Sequence, residues 1–380
     1  MVRHMNYYAQ RRQALVRDLK RDGFEALLIS NPVHVTYLTG FTGDSSYFLT
    51  SPKHNILISD TRFEAQIAEE CAGLDVVIRG HDKTTEDALG ETLTKAKLDA
   101  VGVETRHATL ALMEVLKEAA PKCTFAPAGA RVEELRVIKD ASEVEAIREA
   151  VRIAERAYGM FRSMMRETDT EKDLADAMEA YVRRSGGTHT PFPVIAAVGE
   201  RGALPHAPPT NRMLISGSKL LLDWGAVYQG YRSDLTRTFR SPFQMVPTRK
   251  NKPERVGYDF EEIYNVVLEA QQAAIDLICD GVAAKDVDTA ARKVISDAGY
   301  GDYFTHGLGH GLGLDTHEGP RLRKNSTDTL QAGMVVTVEP GIYIPGWGGV
   351  RIEDDVLVRR DGNTVLSTLP RGLAEIEAFA

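Results

Sequence analysis

The 380-residue chain has a formal net charge of −8, with 43% hydrophobic and 26% charged residues. That balance belongs to a soluble globular protein and argues against a nucleic-acid surface. No apolar run approaches the ~18 residues of a membrane span, and no signal peptide is apparent. The three cysteines, Cys71, Cys123 and Cys279, form neither a zinc pattern nor a disulfide framework, so a cytoplasmic protein is expected. A chain this long exceeds a typical single core, and two domains are expected.

From Tyr7 to Arg21 a polar stretch with Leu15 and Leu19 on one face predicts a helix, stopped by Gly23. Ala26–Ile29 reads as a short buried strand. Tyr47–Thr50 and Ile56–Ser59 read as a hairpin turning at Pro52-Lys53-His54-Asn55. Helix Arg62–Cys71, strand Val76–Arg79, helix Thr84–Ala96, strand Val101–Glu104, helix Ala108–Glu118 and strand Cys123–Ala126 continue the alternation. Residues 1–130 are therefore expected to form a small α/β domain with a mixed sheet. The run Tyr37-Leu38-Thr39-Gly40-Phe41-Thr42-Gly43 reads as a turn between strands. Asp60 and Arg62 either reach a ligand or a neighbouring subunit, or form an ordinary surface ion pair.

Residues 131–380 form the second expected domain. Ser142-Glu143-Val144-Glu145 reads as a capping box opening a helix to about Met165, with Val144, Ile147, Val151 and Ala154 at helical spacing. A second helix runs from Glu171 to Arg184 and ends at Gly186-Gly187. The design recurs at Phe260–Cys279 and Lys285–Ala298, ended by Gly299. Lys172-Asp173-Leu174 aligns with Lys285-Asp286-Val287, and Gly186 with Gly299. Such a repeat predicts an α+β domain with internal pseudo-twofold symmetry, its halves facing a shared site. Between the halves, Pro242–Val256 is rich in Pro, Lys and Arg and is expected to be an exposed loop or lid.

Each half ends in a predicted hairpin bearing two carboxylates. With the first turn placed between Tyr228 and Gln229, Asp223 and Asp234 face each other, Cβ atoms ~4.5–5.5 Å apart. Paired aspartates repel and are disfavoured in strands, and a cation between them relieves the repulsion. Glu339 and Glu353 are likewise symmetric about Gly346. Four carboxylates converging on one low-dielectric cleft are balanced by two divalent ions rather than one. Ahead of the second hairpin, three of the ten histidines fall within twelve residues, separated by four glycines at every second position. Glycine at that density contributes no packing and admits close approach to the backbone. His310, at its centre, supplies one nitrogen. An oxygen-rich shell with one imidazole favours manganese, cobalt, iron or zinc over copper. His317-Glu318 is not a metalloprotease HExxH, because Arg321 holds the second histidine slot. No dinucleotide, phosphate-loop or nucleophile-elbow motif is present.

Taken in order, Leu220–Thr238, Phe304–Pro320 and Gly333–Asp354 resemble the pita-bread metallopeptidases, which include methionine aminopeptidase, Xaa-Pro aminopeptidase and Xaa-Pro dipeptidase (prolidase). Residues 7–130 resemble a creatinase-like N-terminal domain. The resemblance implies that Asp223 ligates one metal, that His310 and Glu339 bind the other, and that Asp234 and Glu353 bridge both. It implies substrate roles for His206, of the Leu-Pro-His segment, and for His306 and His317, which hold the scissile peptide and the tetrahedral intermediate. Tyr343 and Arg351 resemble supports behind the ligands. Creatinase, the non-peptidase relative, lacks the ligands, and all five are present here. The chain is too long for a bare methionine aminopeptidase, and Tyr37–Gly43 resembles the Xaa-Pro aminopeptidase branch. Dipeptidases often carry an arginine ahead of Val-Glu-Pro, where this chain reads Lys324-Asn325-Ser326 with Arg321 and Arg323 close by.

The expectation is an Xaa-Pro aminopeptidase acting as a homodimer on proline-containing peptides. It holds two divalent ions, manganese first, with cobalt, zinc or iron as alternatives. A metal-bridging hydroxide attacks the carbonyl before proline and Glu339 moves the proton. The alternatives are an Xaa-Pro dipeptidase and a non-peptide amide hydrolase or lyase on the same centre. Arg201 and the basic loop 246–255 depart from the family pattern and leave substrate size open.

Overall fold

A computed structural model describes residues 2–243 and 257–379. The basic loop 246–255 lies outside the described residues. The chain divides into two compact units, Met1–Arg136 and Val137–Ala380. The boundary falls beyond residue 130 because the Arg131–Val137 helix is tied into the first unit. Its Arg131 Nε donates to Ala128 O at 3.1 Å, and its guanidinium pairs with Asp22.

The first unit is built on a six-stranded mixed sheet. Across it run Asp75–Arg79, Asn55–Asp60, Tyr47–Thr50, Ala26–Ile29, Ala100–Val103 and Thr124–Pro127. The hairpin forms as expected, with Tyr47 opposite Ile58. Leu28, Leu49, Ile58, Leu89 and Leu116 pack as its core. The first helix spans Val2–Val16, earlier than expected, and turns carry the chain on to Gly23. The run expected to be a turn begins inside a helix, Pro32–Thr39. Asn31 Oδ1 accepts from Val33 N, Pro32 presets φ in the first turn, and Gly40 (φ 82°) closes the helix. Asp60 forms an ion pair with Arg62 at 2.7 Å.

In the second unit the helix–helix–sheet order occurs twice. Helices Ala141–Met164 and Glu171–Arg184 precede a three-stranded antiparallel sheet of Ile195–Val198, Lys219–Trp224 and Leu235–Arg240. Helices Phe260–Leu277 and Ala284–Asp297 precede a five-stranded sheet that includes Gly309–Gly311, Val335–Val338 and Asp354–Arg359. A bridge between Thr236 and Glu353 joins the two sheets. The long first helix is capped by Asp140, not Ser142. The Asp140 carboxylate accepts from Ser142 N and Glu143 N, and Glu143 answers by accepting from Asp140 N.

One register differs from expectation. Asp223 lies opposite Thr236, not Asp234. The turn closes on Gln229 and Gly230, both at positive φ (50° and 82°), as a tight two-residue hairpin requires. Moving the turn centre by one residue moves every partner by two. Asp234 therefore stays on the face of Asp223 but sits diagonal to it. The second hairpin keeps its predicted symmetry. Val338–Asp354 and Gly341–Arg351 are paired in one register, and Glu339 and Glu353 lie between those pairs.

Candidate metal centre

The glycine run forms the Gly309–Gly311 strand, with sheet neighbours on both sides. A Cβ on Gly309 would lie 2.1 Å from Thr337 O, and one on Gly311 would lie 1.9 Å from Gly319 O. Backbone from either side thus closes on the strand, and only glycine fits these two positions. Between them His310 is fixed twice. Its N–H donates to Thr337 Oγ1 at 3.1 Å, and Nδ1 donates to Gly311 O at 3.0 Å. That tautomer leaves Nε2 as a lone pair, 3.4 Å from Glu339 Oε1 and 3.8 Å from Asp234 Oδ2. One ligating atom each from Asp234, His310 and Glu353 lie within 4.8 Å of one another.

Arg351 organises the other side. Its guanidinium donates to Asp223 Oδ2, to Thr236 Oγ1 at 3.0 Å and to Tyr343 OH at 2.8 Å. Thr236 Oγ1 in turn donates to Glu353 Oε2 at 2.6 Å. Asp234 is held through its backbone, whose N–H donates to Asp355 Oδ2 at 3.0 Å. Thr236 and Asp355 escaped the sequence reading, since a threonine and a second aspartate in a strand carry no signal of their own.

The electrostatics fit a cationic guest. Burial pushes Glu339 up to about 8. Burial and mutual repulsion hold Asp234 and Glu353 well above the carboxylate range. Asp223 is also raised by burial, against the pull of Arg351, and its Oδ1 is buried without a hydrogen-bond partner among the described residues. Burial, with His317 close by, lowers His310 to about 3 and keeps it a neutral donor. Oxygen-rich, with one imidazole and an orphaned carboxylate oxygen, this set could hold divalent ions.

These groups line a cavity of about 670 Å³. Phe192, Pro193, Pro205 and Pro208 form an apolar wall that the sequence did not announce, because its members come from separate loops. His206 is exposed on the lining. His317 is also exposed, its ring centroid 4.3 Å from that of His310, and it makes no hydrogen bond among the described residues. His306 differs from expectation. Nδ1 donates to Gly307 O at 2.7 Å and Nε2 takes the Tyr343 hydroxyl at 2.8 Å. Burial lowers it to about 4, so the neutral ring has no N–H left for a substrate. Arg321 stands directly across the strand pair from His310, and both Arg321 and Arg323 reach the cavity. Arg201, the departure in the sequence, pairs with the fully buried Glu171 at 2.8 Å and donates to Pro208 O at 2.6 Å, fixing the proline wall.

Residues 145–360 match the model of metallopeptidase family M24, and residues 11–138 match the creatinase/prolidase N-terminal domain. The chain belongs to metallopeptidase family M24 and is a metal-dependent hydrolase of the pita-bread fold. It is similar in structure to an Xaa-Pro dipeptidase from Bacillus anthracis (35% identity, 96% of this chain and 99% of that one, TM-score 0.87). An X-Pro aminopeptidase from Thermotoga maritima aligns comparably (33% identity, 94% and 99% coverage, TM-score 0.85). A curated Xaa-Pro dipeptidase of Pyrococcus furiosus is 33% identical over 364 residues, 96% of this chain and 99% of its own.

Proposed function

We propose that this chain hydrolyses the peptide bond preceding proline, with Xaa-Pro dipeptides as its main substrates. The observation that carries the dipeptide reading is Arg321, paired across the strand with His310 and lining the cavity with Arg323. Two guanidinium groups beside a buried centre suit a free α-carboxylate, which Arg binds with paired, charge-assisted hydrogen bonds. The wall of Phe192, Pro193, Pro205 and Pro208 offers apolar contact to a pyrrolidine ring.

Asp223, Asp234, His310, Glu339 and Glu353 would hold two divalent ions, manganese first, with cobalt, zinc or iron as alternatives. Bound there, the ions supply a water acidic enough to ionise near neutral pH and polarise the scissile carbonyl. The remaining work falls to the chain. Thr236 and Arg351 fix Glu353 and Asp223 in orientation. Glu339, on the cavity lining, accepts a proton and returns it to the prolyl nitrogen, which has no N–H and must be protonated to leave. His317 donates to the oxygen on which negative charge develops. His306 acts through Tyr343 as a positioning residue. His206 contacts the substrate at the rim.

A panel of Xaa-Pro dipeptides, Xaa-Pro tripeptides and a proline-free control, assayed with added manganese, tests the reading. Turnover of dipeptides in preference to tripeptides is expected. Cleavage of tripeptides alone favours the second reading, an Xaa-Pro aminopeptidase, for which a cavity of about 670 Å³ leaves room. Turnover of neither by fully loaded protein overturns both and leaves the non-peptide amide hydrolase. No described helix is long and apolar enough to cross a membrane. The family resemblance supports a homodimer, and light scattering showing only monomer at micromolar concentration would count against it.

A further inference from the structure

The first unit contains a second gathering of metal-ligating groups, unrelated to the M24 residues. His34 lies on the Pro32–Thr39 helix, His107 in the turn after the Ala100–Val103 strand, and Glu133 on the Arg131–Val137 helix. One ligating atom from each lies within 4.8 Å of the other two. The rings of His34 and His107 meet edge to face with centroids 5.0 Å apart. His107 Nε2 is 3.6 Å from Glu133 Oε1.

His34 makes this more than a cluster of polar side chains. It is fully buried. Its Nδ1 bonds to the Glu104 carboxylate, whose other oxygen accepts from Ser30 N at 2.6 Å and from Asn31 N at 2.8 Å. Glu104 is thereby acceptor on every side, so Nδ1 of His34 is the donor to it, and in the neutral ring the lone pair lies on Nε2. Among the described residues no donor reaches that Nε2. A buried acceptor left without a partner is costly. A carboxylate behind one imidazole nitrogen, with the other nitrogen turned toward further ligands, is the arrangement that orients metal-binding histidines. The polar contact an ion would displace is that of the Asn31 amide, whose Nδ2 lies 3.2 Å from His107 Nε2 and 3.3 Å from Nδ1. His107 and Glu133 are about one-third and one-quarter exposed, at 33% and 25%, so water can reach the open positions of an ion.

We propose that His34, His107 and Glu133 form a structural binding site for a divalent transition-metal ion in the first unit, with Glu104 orienting His34. Two imidazoles and a carboxylate suit zinc, with iron(II) and cobalt(II) sharing the preference. The ion would clip together three segments distant in sequence, including the helix that closes the unit.

The test counts metal in the full-length protein, stripped with chelator, reloaded with zinc and passed through gel filtration. His107→Ala and Glu133→Gln alter partly exposed side chains and spare the buried His34. Each is expected to retain about one zinc per chain fewer than the parent and to lose part of its zinc-dependent rise in melting temperature. Peptidase activity should be unchanged, so the outcome is independent of the substrate assigned above. Equal zinc content and an equal melting shift in parent and both variants would overturn the proposal.

Discussion

Arg321 and His317 both line the cavity, and each carries a separable consequence. If Arg321 holds the substrate carboxylate, removing its charge forfeits a charge-assisted hydrogen bond. Arg321→Gln should then raise KM for an Xaa-Pro dipeptide on the order of 10–100-fold, with a much smaller effect on a tripeptide amide. Steady-state kinetics on the two substrates checks this, and equal losses would remove Arg321 from carboxylate recognition. His317 touches the ring of His310 but makes no hydrogen bond among the described residues. His317→Ala should keep its metal and lose kcat by roughly 10²–10³-fold, the usual loss for one donor to a developing oxyanion. Metal analysis beside kinetics decides, and a metal-free variant would make His317 a ligand support instead. Residue identities at the centre were legible because unusual types stand out: aspartates in apolar strands, and histidine amid glycines. Thr236, Asp355 and Arg351's bonds to Asp223 and Thr236 were not, since their meaning lies in partners more than a hundred residues away in sequence.

Among the elements, helices are more legible in the sequence than turns. Glu171–Arg184 and Ala284–Asp297, each of 14 residues, emerge from apolar periodicity nearly as predicted. The first hairpin slipped by two because Gln229, a non-glycine at positive φ, gives no sign of the tight turn it occupies. Pro32–Thr39 was missed although Asn31-Pro32 is a good helix start. Glu171 starts a helix, yet its carboxylate is spent elsewhere, accepting from Val198 N at 2.8 Å, Arg201 Nε at 2.8 Å and Thr210 N at 2.9 Å. Glu171→Ala strands these donors and should cost about 3 kcal/mol, measurable by urea unfolding. A loss under about 1 kcal/mol would show that water replaces the carboxylate. Asp60 ends a strand, and the Arg62 guanidinium holds its carboxyl down to about 2 from an ordinary 3.8. A lowered folded-state value stabilises above the unfolded value and is lost as pH falls through the folded one. The contribution should be complete above about pH 4 and gone near pH 2. With Arg62 largely exposed, it amounts to about 1 kcal/mol. Asp60→Asn should flatten stability across that window, and an unchanged acid profile would discount the pair.

At the scale of the molecule, the duplicated order in residues 137–380 was visible in aligned helices, but the joining of its two sheets at Thr236 and Glu353 was not. That junction places carboxylates from both halves in one buried site, so ions held there would add to the stability of the folded state. At a free ion concentration a hundredfold above Kd, loading adds about 2.7 kcal/mol per ion. Chelation should lower the calorimetric unfolding temperature, with the shift growing with the logarithm of ion concentration. A midpoint indifferent to chelator would separate the carboxylate cluster from metal binding altogether. The glycine strand has a further consequence, for how this sequence tolerates change. In a saturation library scored for both protein abundance and activity, variants at Gly309 and Gly311 should disappear from both readouts, because Thr337 O and Gly319 O leave no room for any side chain. Variants at buried Leu308 and Leu312 should survive with other aliphatic residues. Variants at His310 should remain abundant and inactive. Three different rules of substitution thus alternate along five consecutive residues, one set by backbone sterics, one by packing and one by chemistry.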